Sequence, residues 1–159
     1  MKSRLYIDTG ANINSLKEVY PYVEFYQFPY DSSNRNKRLI QNGTIKLATP
    51  SLLQWRDANV RWNESLFQFQ ECTPSERYAD FKKILEQNSK KPIESLRRDI
   101  LHLDSAYKTG CKIFITSDNK DIVSKRKELE EIGNFKIFRS PQETDALISY
   151  IKHLHNITF

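Results

Sequence analysis

Short apolar runs alternate along this chain with longer stretches in which apolar positions recur every three or four residues. Residues 4–8 read as a strand ending at Asp8, and Thr9 to Asn14 lead into a helix that Pro21 stops. Val23 to Phe28 alternates and is aromatic, which predicts an extra strand. Residues 31–38 are polar and predict a turn or loop, and Asn42-Gly43 is a turn signal before a strand at 45–49. Pro50 opens a predicted helix running to about Phe69. Thr73, with Glu76 three residues on, has the pattern of a capping box before a helix bearing Tyr78, Phe81, Ile84 and Leu85. Asn88 to Lys91 breaks that helix and Pro92 starts the next. Ile93, Leu96, Ile100, Leu103 and Tyr107 then follow 3, 4, 3, 4 spacing, the strongest periodicity in the chain, and Thr109-Gly110 ends it. Residues 112–116 form an apolar β-branched run of the kind buried on both faces of a parallel sheet. A turn at 117–121, a charged helix to about Ile132, a strand at 135–139 and a last helix capped by Ser140 to Glu143 complete the chain.

Strands that alternate with helices predict a three-layer α/β/α fold with a central, mainly parallel sheet. In such sheets ligands bind beyond the carboxyl ends of the strands, and Asp8 and Asp118 both stand at such ends. Aspartate is also a favoured helix cap and turn residue, so each position alone has a structural explanation. The long helix offers Asp99 and Asp104 on opposite sides of its apolar stripe, and periodicity does not choose between them. His102 projects further from the stripe and reads as solvated or supporting. Carboxylates gathered from these segments would suit a hard divalent cation and metal-assisted hydrolysis.

Composition narrows the class. The 159 residues fit one domain, 1–159, with 38% hydrophobic and 28% charged residues. No apolar run approaches a membrane span, and Asp8 comes too early for a signal peptide. Two cysteines, Cys72 and Cys111, and three histidines argue against a zinc site and for a reducing, cytoplasmic setting. The net charge of +5 favours a polyanionic partner such as nucleic acid. Four glycines and no glycine-rich loop argue against a nucleotide-binding domain.

Three segments carry a family resemblance. Leu5-Tyr6-Ile7-Asp8-Thr9 resembles the opening strand of PIN-domain ribonucleases. Asp99-Ile100-Leu101-His102 through Ala106 resembles their central Asp-x-x-His helix, and residues 110–121 resemble their strand ending in Thr-x-Asp-x-Asp. The order and spacing agree along nearly the whole chain. The resemblance implies a metal-dependent endoribonuclease, as in toxins of toxin–antitoxin pairs and in RNA-processing nucleases. It selects Asp99 over Asp104, and implies Asp8, Asp99 and Asp118 as catalytic ligands of Mg²⁺ or Mn²⁺. Asp121 matches a fourth acid, and Thr116 a supporting position. Thr9 and Ser117 are further candidates for orienting water or ligands. Arg35, Lys37, Arg38 and Lys120 are candidate contacts for an RNA backbone.

One departure stands out. Where the family usually presents a glutamate after the proline-started turn, this chain has Trp55, with Asp57 two positions on and Glu64 further still. That departure keeps open a rival reading, a catalytically silent PIN-like module that binds RNA or a protein. If the chain is an active toxin or defence effector, an inhibitory protein partner is implied, because an unrestrained ribonuclease harms its own cell. Trp55 and Trp62 are candidates for a homodimer interface, although core packing explains them as well.

Overall fold

The computed structural model describes residues 1–30, 35–52, 73–118 and 120–157. Among these residues, five parallel strands, β1 (Ser3–Ile7), β2 (Val23–Gln27), β3 (Ile45–Leu47), β4 (Ile113–Thr116) and β5 (Lys136–Arg139), form one sheet in the order β3-β2-β1-β4-β5. Among the described residues, a 3-10 helix (Asn14–Tyr22) and five α-helices surround it: α1 (Lys37–Gln41), α2 (Tyr78–Glu86), α3 (Ile93–Thr109), α4 (Arg126–Gly133) and α5 (Thr144–Leu154). β1 is central, with Leu5 opposite Phe25 of β2 and Ile113 of β4. The chain builds outward from β1 through β2 and β3, then returns to the other side of β1 for β4 and β5. The strand order therefore reverses between β1 and β4.

Period-two alternation divides the sheet between two cores. Leu5, Ile7, Val23, Phe25, Ile113 and Ile115 face the 3-10 helix and α5, which contribute Leu16, Val19, Leu147 and Ile151. Tyr6, Phe114 and Ile137 face α2, α3 and α4, which contribute Phe81, Leu85, Leu103 and Leu129. The second core holds an aromatic stack in which Phe114 lies 5.4 Å from Tyr6 and 5.8 Å from Phe135, ring centre to ring centre. Each such fully buried apolar side chain contributes about 1.5–3 kcal/mol. This is the three-layer α/β/α arrangement that the alternation of elements predicts.

Several local expectations change. Pro21 lies inside the 3-10 helix rather than ending it, and the segment ends when the Val23 N–H bonds Tyr20 O. Lys37 and Arg38 belong to the short helix α1, not a loop. Thr73 is exposed and is not the N-cap of α2, a position held by Arg77, and the Ser75 hydroxyl accepts the Arg77 N–H at 3.0 Å just before α2. Ile93 is 82% exposed because the first position of α3 extends beyond the packed layer. The turn after β4 continues to Lys125, so α4 starts later than its charge pattern suggests. The carboxylate of Glu143 does not cap α5. It bonds Arg126 at 2.6 and 2.9 Å and the Arg139 N–H at 2.7 Å. Of the helix predicted from Pro50, only residues 50–52 are described, and they form a bend; Trp55, Asp57, Trp62, Glu64 and Cys72 lie outside the described residues.

Asp104 is fully buried and serves the fold. It accepts Ser51 Oγ at 2.5 Å and the Ser75 N–H at 3.0 Å, and the Ser75 hydroxyl bonds its other oxygen. One turn on, Lys108 Nζ donates to Pro50 O at 2.6 Å and Thr73 O at 2.5 Å. The chain on either side of residues 53–72 is thereby pinned to a single turn of α3. Asp104→Ala removes the shared acceptor and leaves the Ser51 hydroxyl buried without it. A loss of about 2–3 kcal/mol is expected, measured as a lower urea midpoint at unchanged slope. A loss below about 0.5 kcal/mol, the range of ordinary surface changes, would contradict this role.

Candidate metal centre

The reversal of strand order opens a crevice beyond the carboxyl ends of β1 and β4, the usual binding position in open α/β sheets. The Asp8 N–H bonds Ile115 O at 2.9 Å and closes the ladder between the two strands at that end. The loops beyond approach closely. A Cβ on Gly10 would lie 2.2 Å from Ser117 Oγ and 3.3 Å from Ser117 Cβ, so β1's loop rests close against β4's and a side chain there would require Ser117 to turn away.

Asp8 follows β1 directly and is buried. Its carboxylate accepts the Thr9 N–H at 2.8 Å and the Thr116 hydroxyl at 2.9 Å. The same Thr116 oxygen accepts the Asp118 N–H at 3.0 Å, so one threonine at the end of β4 aligns both strand-end acids. Asp118 then accepts the backbone N–H groups of Lys120 at 3.0 Å and Ile122 at 3.2 Å. These bonds fix its carboxylate in the turn. Burial alone would raise its pKa, but Lys91 and these N–H donors together hold it below the ordinary carboxylate value.

Asp99 comes from α3 and Asp121 from the turn after β4. Carboxylate oxygens of Asp99, Asp118 and Asp121 lie within 4.8 Å of one another. Asp8 stands beside this trio, and its charge, after burial, is the next contributor to an upward shift of Asp99 to about 7. The sequence-derived catalytic set of Asp8, Asp99 and Asp118 thus converges, with Asp121 in the tighter group and Asp8 at its margin.

Lys91, which the sequence reading passed over, sits among these acids. Its Nζ lies 2.6 Å from Asp99 Oδ2, 2.9 Å from Asp118 Oδ2 and 3.9 Å from Asp121 Oδ2. Burial opposes the ammonium charge, but hydrogen bonds and charge from Asp99 and Asp118 hold its pKa above lysine's ordinary value. The only sequence signal was a lysine beside the proline that starts α3, one of 25 basic residues.

His102 was expected to be solvated or supporting, and it is buried. Its Nδ1 bonds the Tyr6 hydroxyl at 2.7 Å, and its Nε2 bonds Thr9 Oγ1 at 3.0 Å and lies 3.7 Å from Asp8 Oδ1. Distance from the 3-4 stripe did not mean exposure, because α3 is covered on most of its circumference. Thr9 and Thr116 thus support the site through His102 and Asp8, whereas the contact shown for Ser117 is its packing against Gly10. Arg35, Lys37, Arg38 and Lys120 are exposed. Asn36 Nδ2 bonds Ala11 O at 2.9 Å, which brings the start of α1 to the loop after β1, and the Lys120 N–H bond to Asp118 puts Lys120 at the rim of the crevice.

The trio offers only carboxylate oxygens, which suit a hard cation such as Mg²⁺ or Mn²⁺ rather than zinc. The ammonium already lying among them shows that the position favours positive charge. The fold and this site define an α/β protein with a cluster of aspartates at its topological switch point. Comparisons with family models, with curated proteins and with solved structures gave no match.

The raised pKa of Asp99 has a defined sign. The folded protein keeps a proton on Asp99 where the unfolded chain has released it, so this group stabilises the fold at acid pH, and that contribution is lost as pH rises towards and through about 7. The lowered pKa of Asp118 acts in the opposite direction and on the acid side of the ordinary carboxylate range. Chelator-treated protein should therefore lose thermal stability as pH rises from about 4 to about 7, and Asp99→Asn should flatten that decline. Equal slopes in the two proteins would contradict the assignment.

Proposed function

We propose that this chain is a divalent-cation-dependent endoribonuclease of the PIN-like kind, cleaving RNA phosphodiester bonds by hydrolysis. The observation that carries this reading is the convergence of Asp8, Asp99, Asp118 and Asp121 in one crevice between β1 and β4. Asp99, Asp118 and Asp121 would hold the ion, with Asp8 beside them. A bound Mg²⁺ or Mn²⁺ supplies Lewis-acid polarisation of the phosphate and a lowered pKa for water. Thr116 fixes the Asp8 carboxylate and the Asp118 backbone, and Thr9 with His102 orients the Asp8 side of the crevice. Lys120 at the rim, with Arg35, Lys37 and Arg38 exposed on or beside α1, offers positive charge to an RNA backbone. Toxin or defence-effector function in the cytoplasm, with an inhibitory protein partner, follows from the family resemblance.

The ion pairs of Lys91 favour a second reading, a silent PIN-like module whose acids are neutralised from within and which binds RNA or a protein. Cleavage of single-stranded RNA with Mn²⁺ decides between them. The wild type should cut, and Asp118→Asn should lose at least about a hundredfold in rate, since even residues behind metal ligands cost 10–100-fold. Undiminished cleavage by the variant would refute the site assignment. An inactive wild type without Mn²⁺-dependent thermal stabilisation would favour the silent module.

A further inference from the structure

We infer that Lys91 is the resident counter-cation of the acidic crevice and sets its affinity for divalent ions by competing for the same carboxylate oxygens. This rests on the reading of the crevice as a cation site and adds how that site is regulated. The Lys91 ammonium is hydrogen bonded to Oδ2 of both Asp99 and Asp118 and reaches towards Oδ2 of Asp121. Those three residues are also the ones whose oxygens cluster closely enough to share an ion. An ion that takes these oxygens therefore has to displace the ammonium.

The two sides of this contact differ in freedom. Asp99 projects from the core helix α3, and Asp118 is tied by the N–H groups of Lys120 and Ile122, so the acids stay in place when the lysine leaves. Lys91 lies in the short connection between α2 and α3, between Asn88 with φ +56° and Pro92 with φ −54°. Its side chain keeps 23% of its surface exposed, an outlet to solvent at one edge of the crevice. A four-carbon stem can carry the ammonium out by rotation without moving the backbone. The protein thus holds a closed, internally neutralised arrangement and an open one competent for an ion. The apparent dissociation constant for the ion is raised by the inverse of the open fraction.

The test uses the full chain, stripped with chelator and titrated with Mn²⁺ at fixed pH by thermal shift and calorimetry. Lys91→Met keeps the length and removes the charge; it should bind Mn²⁺ about tenfold more tightly or better, as an open site would. Lys91→Arg keeps the charge and should remain within about threefold of wild type, well under the tenfold that 1.4 kcal/mol represents. Wild-type protein gives an independent reading should the methionine variant fail to fold: acetylation of Lys91, followed by peptide mass spectrometry against its exposed neighbour Lys90, should speed up several-fold when Mn²⁺ is added. Unchanged or weaker binding by Lys91→Met, or Lys91 labelling that Mn²⁺ leaves unchanged or slows, would overturn the competition. If wild type binds Mn²⁺ but Lys91→Met gains nothing, only this inference falls. If neither protein responds to Mn²⁺, the cation-site reading falls with it.

Discussion

Four carboxylates facing one crevice repel one another, and every feature around Asp8, Asp99, Asp118 and Asp121 reflects how that repulsion is contained. Two devices operate together. Fixed donors hold Asp8 and Asp118: the hydroxyl of Thr116 and the N–H of Thr9 on the first, the N–H groups of Lys120 and Ile122 on the second. A positive charge, the ammonium of Lys91, lies between Asp99 and Asp118. Asp99, with burial against it and Asp8 beside it, absorbs what is left by holding its proton up to about pH 7. A divalent ion would replace the weaker of these devices with a stronger one, which is why the arrangement is read as a cation site rather than a structural ion-pair network.

The scaffold explains why the acids meet. A parallel sheet whose order reverses beside its central strand leaves two neighbouring strands whose connections run to opposite sides, and a crevice opens where they part. β1 and β4 are those strands, and each ends in an aspartate or a short turn carrying one. Thr116 couples them, because its hydroxyl donates to one acid while accepting from the backbone of the other. Buried α3 crosses the same core and brings Asp99 and His102 to it, while Asp104 and Lys108 on its later turns hold the chain flanking residues 53–72. One helix therefore serves the site with one set of polar residues and the fold with another.

The layered architecture and the strand-end acids were legible in the sequence, since both follow from periodicity and from where apolar runs stop. Periodicity did not choose between Asp99 and Asp104, because both flank the same stripe; the family resemblance selected Asp99, and the bonds from Ser51 and Ser75 show that Asp104 serves the fold. Of the two readings of His102, the supporting one holds and the solvated one does not, because a helix packed on several sides hides residues that a single-stripe reading would place in water. Lys91 left no mark because its role depends on where a short connection directs a long side chain. Thr73 and Glu76 matched a capping pattern, but the hydroxyl of Ser75 bonds the backbone there, and Glu76 instead accepts the Tyr107 hydroxyl at 2.5 Å.

The convergence of the acids into one cation site is tested most directly by crystals of the full chain soaked in Mn²⁺ and measured for anomalous scattering. An anomalous peak among the carboxylates of Asp99, Asp118 and Asp121, with the Lys91 ammonium withdrawn from between them, is the predicted result. A map with no peak there at saturating Mn²⁺, and Lys91 still bridging Asp99 and Asp118, would contradict it.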